Sequence, residues 1–442
     1  MNTRAISRRF FIQSTATASL AAGCLVSGAA TAAPRRISAN EKIHVAVIGL
    51  GGMGRSHFDR LLGNGEVRVI AGCDPDTARQ QAAKDEAAKT AQTVSTYADF
   101  REMLQAHPDL DAVFVATPDH WHALATIACL EQGKDVYCEK PLALTIEEGR
   151  AMVNAARRLD RVVQVGTMQR SDQPQFRHVC ELVRNGRIGT LERVVCFFGE
   201  NPYSEFVPEA PPPANLDWNL WLGPAPYRAF NPQIHPYYFR YFRDYSGGML
   251  TDWGVHLFDI AQWGMDKDHT SPRRVEAKVE YWKDNLYEFP RYSRIRYDYG
   301  DVVLEWIQTS EEERKKIEPG EGYGTKFYGS EGEVSVNRSG YAARNKQGGA
   351  INEELGPNDL RLYAATSHHD DFFQCLRTRN RPICDVEIGH RDAVISHLGN
   401  IATRLGRPLD YDPDQELFPN DPAANRMISK PMRAPWHLQE PV

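Results

Sequence analysis

Lys140, Asp252 and His256 are the residues whose types and settings could carry chemistry. Lys140 stands in Cys138-Glu139-Lys140-Pro141, at the end of a short β-type run. A lysine at a strand terminus can donate to a substrate oxygen and stabilise developing alkoxide charge. Pro141 would stiffen the turn that aims it. Asp252 and His256 lie in Gly247-Gly248-Met249-Leu250-Thr251-Asp252-Trp253-Gly254-Val255-His256, four residues apart, a spacing that puts both on one face of one helix. A neutral histidine beside a carboxylate can take the proton of an alcohol as hydride leaves its carbon. Taken singly, an exposed lysine at a strand end and a surface Asp–His pair fit the same residues.

A hydride carrier would give the three a common task, and the chain has a place for one. Gly49-Leu50-Gly51-Gly52-Met53-Gly54 follows the apolar run Ile43-His44-Val45-Ala46-Val47-Ile48 and opens a helical pattern. Gly49 allows the tight turn, Gly51 lets the backbone approach a pyrophosphate, and Gly54 lets helix and strand pack closely. The helix N-terminus supplies free N–H groups and partial positive charge. Twenty residues on, Asp74 ends a second β-rich run, Val67–Cys73, where it can accept hydrogen bonds from the ribose hydroxyls of NAD and repel a 2′-phosphate. Arg79 nearby leaves room for NADP.

These residues need a scaffold that brings strand ends together. From Lys42 to about Val165, β-type runs near 43–48, 67–73, 111–115, 135–138 and 161–165 alternate with helical patterns near 53–63, 76–89, 97–106, 120–132 and 145–159. That alternation predicts a parallel sheet with helices on both faces, and ligands bind outside the carboxyl ends of such strands. Beyond residue 166 come a helix over 173–185, a Pro- and aromatic-rich stretch, and β-type runs near 190–198, 274–282, 292–298, 301–309, 325–329 and 332–337. They predict an α+β unit on a largely antiparallel sheet, with late helices over 368–378 and 390–404. Aromatic rings between Trp218 and Tyr245, with Tyr238 and Arg243 among the candidates for substrate contact, suit a carbohydrate, although packing explains most of them.

Composition narrows the class. A formal net charge of −6 gives no surface suited to nucleic acid. The eight cysteines contain no C-x-x-C pair, no His/Cys cluster has zinc spacing, and His368-His369-Asp370-Asp371 lacks a spaced partner, so no metal is expected. Ser7-Arg8-Arg9-Phe10-Phe11-Ile12-Gln13, followed by a mild apolar stretch and Ala30-Thr31-Ala32, fits a twin-arginine (Tat) signal peptide over residues 1–33. The expected location is therefore the periplasm, reached folded through the Tat machinery, with mostly buried free thiols. A loose lipobox at Leu20–Cys24 leaves lipid anchoring through Cys24 as a lesser alternative.

The G-x-G-x-x-G at 49–54, Thr-Pro-x-x-x-His at 117–122, Glu-Lys-Pro at 139–141 and Asp-x-x-x-His at 252–256 resemble, in order and spacing, the Gfo/Idh/MocA family of NAD(P)-dependent oxidoreductases. The resemblance runs from about 42 to 425 and extends to an exported subgroup with twin-arginine signals. It implies an α/β fold: an N-terminal Rossmann doubly wound domain (42–165), then a C-terminal substrate-binding and oligomerisation domain (166–425) with a large open, mostly antiparallel sheet. It implies Lys140 as the catalytic lysine, with Asp252 and His256 completing the site. Gly49, Gly51, Gly52, Met53, Gly54, Asp74, Thr117, Pro118, His122, Glu139, Lys140 and Gln169 would border the cofactor, and Arg170 the substrate. The expected protein is a homo-oligomer (dimer or tetramer) that oxidises a sugar, polyol or related carbohydrate with NAD. The alternatives are a glycoside hydrolase or epimerase that uses NAD transiently through a 3-keto intermediate, and a non-catalytic cofactor-loaded binding protein. Export in the folded state favours a tightly retained cofactor, since free NAD is scarce outside the cytoplasm.

Overall fold

The alternating runs of the first half build one parallel sheet in the computed structural model, which describes residues 37–38 and 41–438. Its strands are β1 (Ile43–Ile48), β2 (Val67–Cys73), β3 (Ser95–Tyr97), β4 (Ala112–Val115), β5 (Asp135–Cys138) and β6 (Val163–Val165). They lie in the order β3-β2-β1-β4-β5-β6 with every pair parallel. Helices cover both faces, which is why strands such as Ala112–Val115 are apolar throughout. The connections are α1 (Gly52–Leu62), α2 (Thr77–Lys89), α3 (Phe100–Ala106), α4 (Asp119–Glu131) and α5 (Ile146–Arg158). Strand order reverses between β1 and β4, and a crevice opens there above their carboxyl ends.

Two short helices, α6 (Gln169–Asp172) and α7 (Pro174–Arg184), lead to β7 (Leu191–Phe198). After α8 (Trp218–Leu222) come α9 (Met249–Asp252) and α10 (Gly254–Met265). The strands β8 (Arg274–Glu280), β9 (Tyr292–Asp298) and β10 (Val303–Gln308) precede α11 (Glu311–Ile317). Then follow β11 (Gly324–Gly329), β12 (Gly332–Asn337) and β13 (Gly340–Asn345). The chain closes with α12 (His368–Thr378), α13 (Val386–Leu405), β14 (Leu409–Asp410) and α14 (Pro422–Asn425). The second sheet has the order β13-β12-β11-β7-β10-β9-β8-β14. Only β7 and β10 pair in parallel. In β9, buried Ser293, Ile295 and Tyr297 alternate with exposed Arg294 and Arg296, the signature of a sheet packed on one face. The packed face meets Leu257, Phe258 and Ala261 of α10 and Val394 and Leu398 of α13.

Several details depart from the sequence expectations. Asp252 and His256 are not on one helix: the chain breaks at Trp253, between α9 and α10. Strands β3, β13 and β14 were not anticipated. The late helix α12 returns to the first sheet, where Phe372, Phe373 and Leu376 pack with Val45, Val47 and Phe114. The seven described cysteines are buried free thiols; Cys24 and the signal-peptide motif lie outside the described residues.

The aromatic stretch between β7 and α9 forms its own apolar cluster around Trp218, Trp221, Phe230, Phe242 and Tyr245. It reaches back to the first sheet. Thr77 N donates to Asn215 O (2.8 Å), Asp217 N to Pro75 O (3.0 Å) and Asn215 Nδ2 to Asp76 Oδ1 (2.6 Å). The C-terminal tail secures the same stretch. Arg433 Nε donates to Gly223 O (3.0 Å), and Trp436 packs edge-on against Trp121, 4.8 Å between centroids. The segment therefore lies across the crevice as a roof.

Candidate active site

A cavity of about 560 Å³ runs under that roof. One end is the glycine loop. Gly49 adopts φ +89°, and a Cβ there would lie 2.5 Å from Ala116 O. A Cβ on Gly54 would lie 1.7 Å from Gly49 O, so α1 sits directly on the loop. No side chain caps α1, and its first turn contains no acid, which leaves the N-terminal amides to a ligand. Asp74 lines the cavity, accepting from Leu50 N (2.8 Å) and Asp76 N (2.9 Å). Burial raises its carboxyl above the ordinary range, and Arg79, 3.5 Å away, opposes that rise. Thr117 Oγ1, just past the end of β4, is buried without a hydrogen-bond partner among the described residues, and Thr117 borders the cavity. A glycine cradle, open helix amides, a carboxylate and an orphaned hydroxyl are what a dinucleotide requires. These residues fit NAD.

The chemistry gathers at the other end. Lys140, carried by the turn after β5, donates from Nζ to Asp252 Oδ1 (2.6 Å) and Asp252 O (2.9 Å). Arg240 Nε stands 3.4 Å from the same carboxylate oxygen. Burial pushes the Asp252 carboxyl up, but the two cations outweigh it and hold it down at about 2. Asp252 is therefore ionised and anchors the ammonium. His256 faces the cavity and packs edge-on against Trp253. Burial, then Lys140 and Arg338, hold its imidazole neutral well below the usual histidine range. Its Nδ1 is buried without a hydrogen-bond partner among the described residues. The break at Trp253 thus still delivers Asp252 and His256 to one wall, but Asp252 serves Lys140 rather than the imidazole.

Met53, Gly52, Pro118 and Glu139 also line the cavity. Glu139 Oε1 is 2.8 Å from His57 Nε2, which keeps the carboxylate charged despite burial. Six anticipated contacts do not line the cavity: Gly54, which packs α1 onto the loop, Gln169, and four others. His122 is buried behind the wall, its Nδ1 2.7 Å from Pro141 O and Nε2 2.8 Å from Thr117 O. Two carbonyl acceptors require both ring nitrogens to carry protons. Burial opposes that charge, yet Cys138, Asp119 and the Pro141 carbonyl bring the ring up to about 10. His122 therefore ties the Thr117 and Lys140-Pro141 turns together. Arg170 points away, into Asp259 (2.6 Å) and Asp268 (2.8 Å), because α6 turns it toward α10. Tyr238 stacks near Tyr287 instead, and Arg243 lies over Phe289 beside a separate small pocket.

Gln169 is fully buried and bridges, its Nε2 donating to His256 O (3.1 Å) and its Oε1 accepting from Arg338 Nε (3.3 Å). Arg338 and Met168 were missed as cavity residues. Arg338 sits in the Asn337-Arg338-Ser339-Gly340 turn between β12 and β13, which local sequence marks only as a hairpin.

A parallel sheet with a glycine cradle at its reversal, and a lysine, a carboxylate and an imidazole on the same cavity, defines a dinucleotide-dependent oxidoreductase scaffold. The profile described as "Oxidoreductase family, NAD-binding Rossmann fold" matches residues 43–167. Its companion, "Oxidoreductase family, C-terminal alpha/beta domain", matches 201–335 and 357–438. The chain belongs to the Gfo/Idh/MocA oxidoreductase family. It is 36% identical over 172 residues to inositol 2-dehydrogenase 1 of Saccharopolyspora erythraea, covering 38% of this chain and 50% of that protein. The chain spans about half the length of the curated relatives it matches. Among solved structures, the aldose-aldose oxidoreductase from Caulobacter crescentus, complexed with glycerol, superposes with a TM-score of 0.61 at 20% identity, over 84% of this chain and 100% of that one. The WlbA dehydrogenase from Bordetella pertussis, in complex with NADH and UDP-GlcNAcA, gives 0.63 at 18% identity, over 84% and 98%. Both likenesses concern the fold.

Proposed function

We propose that the protein is an NAD-dependent oxidoreductase that interconverts a secondary alcohol and a ketone on a sugar, polyol or related carbohydrate. The observation that carries this reading is the Lys140 Nζ–Asp252 Oδ1 pair at 2.6 Å, on the cavity that begins at the glycine cradle and beside neutral His256. The inositol 2-dehydrogenase relatives support a polyol-like substrate. NAD, when bound, supplies the hydride acceptor. Gly49, Gly51, Gly52 and Met53, with Asp74 and Thr117, would hold it. Lys140 donates to the substrate oxygen and stabilises its growing negative charge. His256, uncharged at neutral pH, accepts the hydroxyl proton. Asp252 fixes the ammonium in place, and the roof residues Trp221, Tyr237 and Phe239 keep water from the reacting carbon.

The latched roof favours a second reading, in which the cofactor stays bound and is regenerated in place during hydrolysis or epimerisation. Stoichiometry separates the two. Mixed with excess NAD and a carbohydrate substrate, a dehydrogenase accumulates NADH in step with ketone. A retained-cofactor enzyme consumes substrate without net reduction, and that result would contradict the first reading. The Ser7–Gln13 motif supports export through the twin-arginine route to the periplasm, and the open second sheet supports homo-oligomerisation.

A further inference from the structure

The reacting end of the cavity holds one cation with no acid to balance it. Lys140 and Arg240 share Asp252. The neighbouring wall carboxylates Glu139 and Asp119 are engaged elsewhere, Glu139 with His57 (2.8 Å) and Asp119 with the Ser246 hydroxyl (2.6 Å). Arg338 forms no ion pair among the described residues. Its Nε donates to Gln169 Oε1 (3.3 Å) and its guanidinium lies 4.8 Å from the Trp253 ring centroid, an arrangement that fixes the plane of the group. The turn that carries it is rigidly built. Asn337 Oδ1 accepts from Ser339 N (2.7 Å), and Gln175 Nε2 donates to Arg338 O (3.2 Å). The Gln169 amide ties Arg338 directly to the backbone of His256. A positioned guanidinium with its Nε occupied offers its two terminal nitrogens to a planar anion.

We propose that the substrate is an acidic carbohydrate, a uronic or aldonic acid whose carboxylate seats on Arg338 while its secondary alcohol meets Lys140 and His256. This rests on the oxidoreductase reading of the site. A carboxylate suits the geometry better than a phosphate, because a single guanidinium matches one charge and two coplanar oxygens. Arg338 shares its wall with His256, away from the glycine cradle that serves the pyrophosphate.

The test is calorimetric titration of the NAD-loaded protein with D-glucuronate and D-galacturonate, against D-glucose, D-galactose and D-glucose 6-phosphate. At least one acid is expected to bind ten-fold or more tightly than its neutral counterpart. Arg338→Gln should erase that preference, and Arg338→Lys should keep part of it. Equal binding of acid and neutral sugar, binding of neither acid, tighter binding of the phosphate, a preference that survives Arg338→Gln, or loss of NAD from that variant would each overturn the proposal. Nicotinamide absorbance read in the same titrations tests the underlying reading separately. Acid that binds through Arg338 without ever exchanging hydride would leave the anion site standing and remove the oxidoreductase.

Discussion

At the scale of single residues, the site works by assigning one charge state to each group. Asp252 carries the anion and Lys140 the cation, and His256 is denied a proton by its burial and by the positive charge around it. An ordinary histidine gains its proton near pH ~6.5. Because the pKa of His256 is lowered, its neutral form persists as pH falls through that region. The kcat/KM of the NAD-loaded enzyme should therefore stay level, within about two-fold, from about pH 5.5 to 7.5. A pH–rate profile with an acid limb centred near ~6.5 would show that His256 is an ordinary histidine or not the proton acceptor. The types and order of Lys140, Asp252 and His256 were readable in the chain because each sits beside a local signal: a strand end, a proline, paired glycines. Arg338 and Gln169's true partners were not, since the contacts that define them join segments 169 residues apart. Arg170 misled for the same reason, as its partner acids lie 89 and 98 residues away.

At the scale of elements, the decisive unit is the β1–loop–α1 turn. Two of its glycines answer to different constraints. A Cβ at position 54 would strike the backbone at Gly49, which cannot yield without moving the helix. Gly51 has ordinary extended angles (φ −94°, ψ 169°), and a Cβ there would meet only the end of the flexible Arg79 side chain, at 2.5 Å. Gly54→Ala should thus lower stability by about 1–3 kcal/mol. Gly51→Ala should change it by about 0.5 kcal/mol or less, while weakening NAD binding at least about ten-fold, or ~1.4 kcal/mol. Thermal melts and NAD titrations of the two variants check this, and equal melting temperatures would refute the packing argument. Five of the six parallel strands were legible because continuous apolar runs must be buried on both faces; the edge strand β3, Ser-Thr-Tyr with no buried residue, carries no such run. β13 was not: its sequence, Gly-Tyr-Ala-Ala-Arg-Asn, is half-exposed and neither alternates nor runs apolar. The break at Trp253 was hidden as well, because i to i+4 spacing looks the same on two consecutive helical turns as on one helix.

At the scale of the whole molecule, the roof joins the two sheets over the cofactor crevice and is fastened at both ends. Asn215 fastens it to Asp76 near the Asp74 end of the cavity, and in the tail Arg433 holds α8 from outside while Trp436 packs on Trp121 of α4. Such fastenings act mainly on dissociation. Asn215→Ala combined with Arg433→Ala should raise the NAD off-rate by about ten-fold or more. Fluorescence of bound NADH chased with excess NAD measures it, and an unchanged off-rate would remove the roof as the retaining device. None of this docking was readable from the sequence, which shows only a proline- and aromatic-rich interval, because irregular backbone has no period. The two-sheet plan itself was readable, since the alternation of strands and helices ends near residue 166 and hairpin-type strand runs follow from residue 274.

The proposed chemistry depends on Lys140, the group that stabilises charge on the substrate oxygen. Its most direct test is single-turnover reduction of bound NAD by a carbohydrate substrate, comparing the native protein with Lys140→Met. Removing one such donor should slow the reduction step by about 10²–10³-fold, with NAD still bound at full occupancy and Asp252 left without its ammonium. Reduction at the native rate in that variant would contradict the mechanism at its centre.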